Sequence, residues 1–520
     1  MSIASGTLAS RFTGLLRVLV LAWVLGFTPL ADAFNLANTV PNMLFDLVLG
    51  GVMSATFIPV FVERLALDGE RKAWRSISSV VTGALLALLI ASIASWVAAP
   101  LIINGFTLLQ HSSTTVASVT LTHQRAVATE LLRWFVPQIF FYGLIGIATA
   151  LLNVRRRFGA PAWVPVVNNF VCIAVLIWFH LVDPSPTVAS VQGTSHLLYL
   201  GLGTSLGVGL QFLALLPSLA RADLWRLTFR FDPRDPAVKA VTRLGSWTLL
   251  VVVANQASLY VVVAFAFGVG GSGPVSAYTY GWSFMQLPYA VVVVSVLSAL
   301  TPQLSALATQ KNFAAFAERL RFGLRQSLVI IIPCAFVLVI LAQPIVATLL
   351  NHLNATHRLS AGVVLAILAA GLPGFTVFQL VIRGLQAMQR ARTVFALYAL
   401  QNALTIGLCF VLGRHSLAGL TASVSLAYGA AAVVALITVG RLHVPLTSAL
   451  WSVHVQRSLV ASGLATLAMA ASYAGPSWNH GLGLVARLAG ALVVGLVVYA
   501  LVVLVLARRV ARSSRNGARL

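Results

Sequence analysis

Fourteen runs of about 20 or more mostly apolar residues divide the chain, and no other feature restricts its fold so strongly. A run of that length crosses the hydrocarbon core of a bilayer as a helix, because in lipid every backbone N–H and C=O needs a partner within the segment. The runs lie at approximately 6–27, 34–62, 76–103, 126–153, 161–182, 197–219, 240–268, 274–308, 323–350, 359–386, 393–413, 416–440, 457–475 and 483–507. The short connections predict an all-α polytopic membrane protein without a soluble domain. Composition agrees: 59% of the 520 residues are hydrophobic and 9% charged, where a soluble domain carries about 25% charged residues.

The formal net charge of +23 invites a nucleic-acid reading, which the position of the charges removes. Twenty-six of the 34 basic residues fall in alternate loops and the C-terminal tail, in clusters such as Arg155 to Arg157 and Arg508, Arg509 and Arg512. Five others, Arg125, Arg133, Arg358, Arg414 and Arg487, fall at the opposite ends of the spans. The positive-inside rule then predicts an even number of spans with both termini in the cytoplasm, the basic loops facing anionic lipid headgroups. Nucleic acid is not needed as a partner.

Three stretches repeat. MSATFIPVFVERLALDGERKAWRSISS at 53–79 resembles VLSALTPQLSALATQKNFAAFAERLRFG at 296–323, with Pro59 matching Pro302. Pro100 in AAPLIIN matches Pro344 in AQPIVATLLN, and LLNVRRRFGAPAWVPVVNN at 151–169 faces GLQAMQRARTVFALYALQN at 384–402. An even number of spans between copies gives both the same orientation, so the repeat is parallel, as in rocker-type transporters. The expected organisation is an N-terminal six-helix lobe at 1–225, a C-terminal six-helix lobe at 226–445, and two further helices with a basic tail at 446–520.

Charges inside spans are costly and serve as candidate functional residues. Here they are Arg11, Arg17, Asp32, Asp46 and Arg383. ASRFTGLLRVLVLAWVLG at 9–26 carries both N-terminal arginines, and a secretory leader with Ala31-Asp32-Ala33 as its cleavage site is the bland reading. Arg11 and Arg17 are about 120° apart around a straight helix. A bend at Gly14 would aim both into one cavity, where guanidinium forks suit phosphate oxygens; otherwise they snorkel to the interface. Asp32, after Pro29, is either an N-cap of the second span or an acidic partner at the cavity rim. Asp46 is expected to face the cavity or pair with an arginine. Arg383 either snorkels or lines the inner mouth. The corresponding part of the second lobe has no charge and offers Asn255, Gln256 and Gln286.

Other motifs fail on context. GTSLG at 203–207 fits G-x-S-x-G inside an apolar span, without the strand, turn and helix of a nucleophile elbow. GVGGSG at 268–273 has no preceding strand, so it does not read as a dinucleotide site. Cys172, Cys334 and Cys409 each sit in a separate apolar run and read as packing residues. Nothing points to an enzyme or a metal.

SRFTGLLR at 10–17, ADAFNLANTVPNML at 31–44, GGVMSATFIPVF at 50–61 and QLPYAVVVVSVLSALTPQLS at 286–305 together resemble the conserved blocks of the MurJ/MviN family, within the multidrug/oligosaccharidyl-lipid/polysaccharide superfamily. The resemblance implies a lipid II flippase of the bacterial cytoplasmic membrane, working by alternating access, with the first segment retained as a lobe helix. It implies that Ser10, Arg11 and Arg17 meet the substrate diphosphate and that Asp32 is functionally important. The chain departs from the family at Phe45, Asp46 and Gly50, where many members have an Arg-Arg pair and a Glu, and at Trp282 and Ser283, where many have Asp-Arg. These versions look like the actinobacterial branch and shift the clamp towards Arg11 and Arg17, with Arg383 as a further candidate.

No cofactor is expected. Coupling to Na⁺, H⁺ or the membrane potential is left open; the acidic sodium-site residues of some family members have no clear counterpart here, Asn255 and Asn402 being the nearest polar residues. Expected partners are lipid II, membrane lipids and cell-wall synthesis proteins, around a monomer. Three alternatives stand: another polyprenyl-linked glycan flippase, a cation-coupled exporter of the superfamily, and a non-transporting cell-wall scaffold.

Overall fold

The computed structural model describes residues 2–46, 57–67, 69–110, 115–155, 157–222, 227–269, 273–350, 354–442, 444–474 and 481–517. Gly50 and most of the 50–61 block, Arg156 and Arg226 of the basic loops, half of the 268–273 turn, and Arg519 lie outside these residues. The described residues form helices and turns, and twelve helices are long and apolar enough to cross a membrane. The two further expected spans correspond to α2 (Pro29–Phe45), which ends at the undescribed 47–56 segment, and to α20 (Val453–Ala474), a full-length helix with a more polar composition.

The chain divides into two compact units, Met1–Thr279 and Tyr280–Leu520. The first begins with α1 (Ser2–Leu25), which stops at Gly26 in the left-handed region (φ 64°). Thr28 then caps α2, its hydroxyl accepting from Ala31 N at 3.2 Å, with Pro29 in the first turn, where its missing N–H costs nothing. There follow α3 (Ile58–Leu67), α4 (Gly69–Val97), α5 (Ala99–Phe106), α6 (Thr115–Val154), α7 (Gly159–Val182), α8 (Val188–Val191), α9 (Ser195–Leu213), α10 (Leu216–Ala220), α11 (Pro236–Gly268) and α12 (Pro274–Pro288). Helix α1 packs on α7, α2 on α6, and α9 against both α6 and α7.

Helix α11 belongs to the first unit by packing, although the sequence repeat starts the second lobe near 226. Backbone N–H groups of Thr228 and Arg230 donate to Ser78 and Thr82 of α4, and Ser76 donates to Asp235, which also caps α11. Further along, Tyr260 stacks on Phe106 of α5 at 4.5 Å.

The second unit contains the rest of α12, a π-turn at Tyr289–Val293, α13 (Val294–Thr309), α14 (Phe313–Ile340), α15 (Ala342–Leu349), α16 (Ala355–Ala387), α17 (Ala391–Leu408), a π-turn at Cys409–Gly413, α18 (Leu417–Arg441), α19 (Thr447–Leu450), α20 and α21 (Gly481–Gly517). The repeat is visible in helix lengths. A 29-residue α4 precedes an 8-residue α5, and a 28-residue α14 precedes an 8-residue α15. Helices α16 and α18 touch at the backbone: a Cβ on Gly374 would come within 3.0 Å of Gly429 Cα. Such contacts between small residues hold membrane helices together where lipid supplies no hydrophobic drive.

Cys172 and Cys409 are buried and Cys334 half-buried, all as free thiols.

Candidate functional site

Small residues let α7 approach the first helix closely. A Cβ on Gly6 would meet the Trp163 ring at 2.6 Å, and one on Gly14 would stand 3.6 Å from Asn169 Nδ2. Asn169 donates to the Ser10 carbonyl (3.2 Å) and to Thr13 Oγ1 (3.0 Å). Gly14 therefore serves as a contact surface for Asn169, within a helix that runs unbroken from Ser2 to Leu25. Ser10 is half-buried, and Arg11 is exposed.

Arg17 follows Thr13 by four residues and so shares its face of the helix. It is half-buried beside Cys172 of α7, and its charge is felt at Tyr142 of α6. Among the described residues no carboxylate lies within ion-pair distance of its guanidinium. Tyr142 also feels the charge of Asp46 and stacks on Phe45 at 4.5 Å. Asp46, exposed at the C-terminal end of α2, accepts a hydrogen bond from Gln256 Nε2 of α11 at 3.5 Å. Gln256 Oε1 is buried without a hydrogen-bond partner among the described residues. Thus α1, α2, α6, α7 and α11 assemble one cation, one anion, a phenol and a spare amide acceptor.

Asp32 sits in a different setting. It is 2% exposed, and its carboxylate accepts from Gly273 N (3.1 Å), Ser276 N (2.8 Å) and Ser276 Oγ (2.7 Å). Asn35, one turn on, donates to the same Ser276 hydroxyl at 3.0 Å. Thr28 caps Asp32's own helix, so Asp32 acts as a cap in trans, satisfying the first N–H groups of α12 and meeting the positive end of its dipole. Gly273, at the cap position of α12, has no side chain to do this. Nor can it carry one. Its φ is 85°, and a Cβ there would fall 2.5 Å from Phe27 Cβ and 2.8 Å from Phe27 backbone. The α1–α2 hairpin and the start of α12 are locked together at this point.

Arg383 belongs to the other unit. It is exposed on α16, donates to Gln386 at 3.2 Å, and its charge reaches Tyr398. The interior of that unit is aromatic. Phe375 stacks on Trp282, Tyr289 and Tyr428 at 6.0, 4.7 and 4.8 Å, and Phe378 on Tyr398 at 5.3 Å. Among the described residues no cluster of His, Cys, Asp and Glu could hold a metal ion.

Sequence reasoning had no hold on Tyr142, Asn169, Gly273 and Ser276. The Gly-Pro pair at 273–274 marks a helix start, yet nothing local announces that the cap comes from Asp32.

The family profile described as "Lipid II flippase MurJ" matches residues 21–493. The chain is 29% identical to the lipid II flippase MurJ of Burkholderia cenocepacia over 407 residues, which are 76% of this chain and 73% of the relative. It is 28% identical to a probable lipid II flippase MurJ of Rhizobium meliloti over 423 residues, 79% and 74% of the two chains. A solved structure of a lipid II flippase MurJ in an inward closed conformation superposes with a TM-score of 0.78 at 21% identity, covering 98% of this chain and 99% of that one. A multidrug resistance MATE family transporter of the MOP superfamily, in an inward-facing conformation, reaches 0.68 at 14% identity over 86% and 99%. This chain, a multi-pass helical transporter and not an enzyme, belongs to the lipid II flippase MurJ family.

Proposed function

We propose that the chain carries lipid II from the inner to the outer leaflet of the cytoplasmic membrane, with Arg17 as the principal contact to the diphosphate. The observation that carries this reading is half-buried Arg17 on a membrane helix with no carboxylate among the described residues to neutralise it. A stranded cation in that setting is costly, and a diphosphate recovers the cost through bidentate, charge-assisted hydrogen bonds. Asp46 and the spare Gln256 Oε1 offer acceptors to hydroxyl and amide N–H groups of the headgroup. Exposed Arg11 and half-buried Ser10 stand nearer the N-terminal end of α1, where they meet the substrate as it enters or leaves.

The clustering of basic residues in alternate loops supports a cytoplasmic position for both termini. The polyprenyl tail remains in lipid while the headgroup passes through an alternating-access cavity. An inside-negative potential favours outward movement of two negative charges by roughly 4–5 kcal/mol per 100 mV.

The test is complementation in bacteria depleted of their own lipid II flippase, with wild type and Arg17→Ala expressed to equal levels. Rescue by the wild type and lysis with Arg17→Ala is the expected result. Rescue by both removes Arg17 from the site. Failure of a well-expressed wild type moves the substrate to another polyprenyl-linked glycan or the role to a scaffold.

A further inference from the structure

The two copies of the repeat differ at one turn. In the first, the α6–α7 turn carries Arg155, which pairs with Glu70 in the first turn of α4 at 3.7 Å. The repeat offsets bring Glu70 onto Phe313 and Arg157 onto Arg390. The second copy therefore loses both members of that pair, Arg155 falling on Met388, and keeps a cation of the turn at Arg390. A cavity of about 520 Å³ opens at this place, lined by Thr309, Phe313, Met388, Arg390, Arg441 and Leu442 among others. Among the described residues neither arginine side chain has a hydrogen bond or ion pair. The unit holds a single acidic residue, Glu318.

Arg441 alone has a bland explanation: it lies in the last turn of α18, where a cation suits the helix dipole. Arg390 does not. It occupies the N-cap of the 18-residue α17 without providing a side-chain cap, and a cation at the positive end of a helix is disfavoured. Two arginines, one of them at the N-cap of α17, line one cavity, and among the described residues neither meets an anion.

We infer that this cavity binds the phosphate of an anionic phospholipid headgroup, at the side of the membrane where the basic loops cluster. Phosphate suits paired guanidinium groups. Phe313 and Leu442 give the cavity an apolar wall for the glycerol portion, which favours a lipid over free phosphate. The site is independent of Arg17 and of the transported substrate.

The test uses the full-length chain, delipidated in detergent, with phosphatidylglycerol or phosphatidylcholine added and retained lipid counted by native mass spectrometry. Wild type is expected to retain phosphatidylglycerol at least fivefold over phosphatidylcholine. Arg390→Gln with Arg441→Gln removes the preference. So does Phe313→Glu, which restores the acid of the first copy and leaves both arginines in place; Phe313 is 44% exposed, so the change is tolerated by the fold. Arg508→Gln with Arg509→Gln, in the tail, leaves the preference intact. If wild type selects no lipid but binds inorganic phosphate and both cavity variants lose it, the phosphate site stands with a soluble source. If either cavity variant retains the wild-type preference, the inference is overturned.

Discussion

The two compact units carry equal numbers of basic residues, seventeen each, but ten acidic residues lie in the first and one in the second. In the first unit acids act structurally: Asp32 caps α12, Asp235 caps α11, and Glu70 meets Arg155. In the second, stacked rings fill the interior around Phe375, and its cations at the cavity beside α17 have no acid to meet. One repeated architecture thus supports two economies of charge. In the first unit acids meet Arg155 and Arg230, while Arg17 has no carboxylate within ion-pair distance among the described residues. In the second, Arg390 and Arg441 share a cavity without one.

The largest expected effect separates arginines that look alike in sequence. Arg17→Ala abolishes rescue of flippase-depleted cells, whereas Arg383→Ala, already bonded to Gln386 on the exposed face of α16, lowers growth by no more than a few-fold. Equal loss in both would erase the distinction drawn between the units.

Gly273→Ala comes next. It demands a left-handed alanine, at about 1–3 kcal/mol, and drives a Cβ into Phe27, at a further 1–3 kcal/mol or so. A fall in detergent melting temperature larger than that of any cap variant is expected. Asp32→Ala leaves three donors without their acceptor and costs about 2–4 kcal/mol. Asp32→Asn keeps one carbonyl acceptor and retains part of that stability. Should both substitutions melt like wild type, the buried carboxylate is not the tie that its geometry describes.

The smallest stability effect belongs to Glu70→Phe, which makes the first copy like the second. The pair it breaks is between partly exposed side chains, worth under about 1 kcal/mol. Its melting temperature should barely move, yet the variant should retain a second phosphatidylglycerol. Absence of that extra lipid would show that the acid does not distinguish the two turns.

Much of the fold was legible because membrane helices announce themselves locally through span length, loop charge and repeated prolines. The matched short helices α5 and α15 begin at or beside Pro100 and Pro344, where the repeat was read. Arg17 was legible for the same reason, since a charge inside an apolar run stands out. What stayed hidden depends on distant pairing. Asp32 looked like a cap for its own helix, but Thr28 does that work and Asp32 reaches a helix 244 residues further on. Tyr142 is an ordinary residue of a long apolar helix until α1 and α2 bring Arg17 and Asp46 near it. Gly14 read as a bend because sequence shows a missing side chain and not the Asn169 that uses the space. Packing of α11 with the first unit was equally invisible, because it rests on serine and threonine hydroxyls of α4 meeting the backbone of a linker.

An unpaired Arg17 also divides the transport cycle into two electrically unlike strokes. Guanidinium stays protonated at every physiological pH, so the empty carrier always moves with a positive charge in its interior. With a diphosphate bound, the two negative charges outweigh that cation and leave the site net negative. The inside-negative potential then assists both strokes by comparable amounts, driving the loaded site outward and drawing the empty, positively charged site back to face the cytoplasm. Voltage would reset the machine as well as push the cargo.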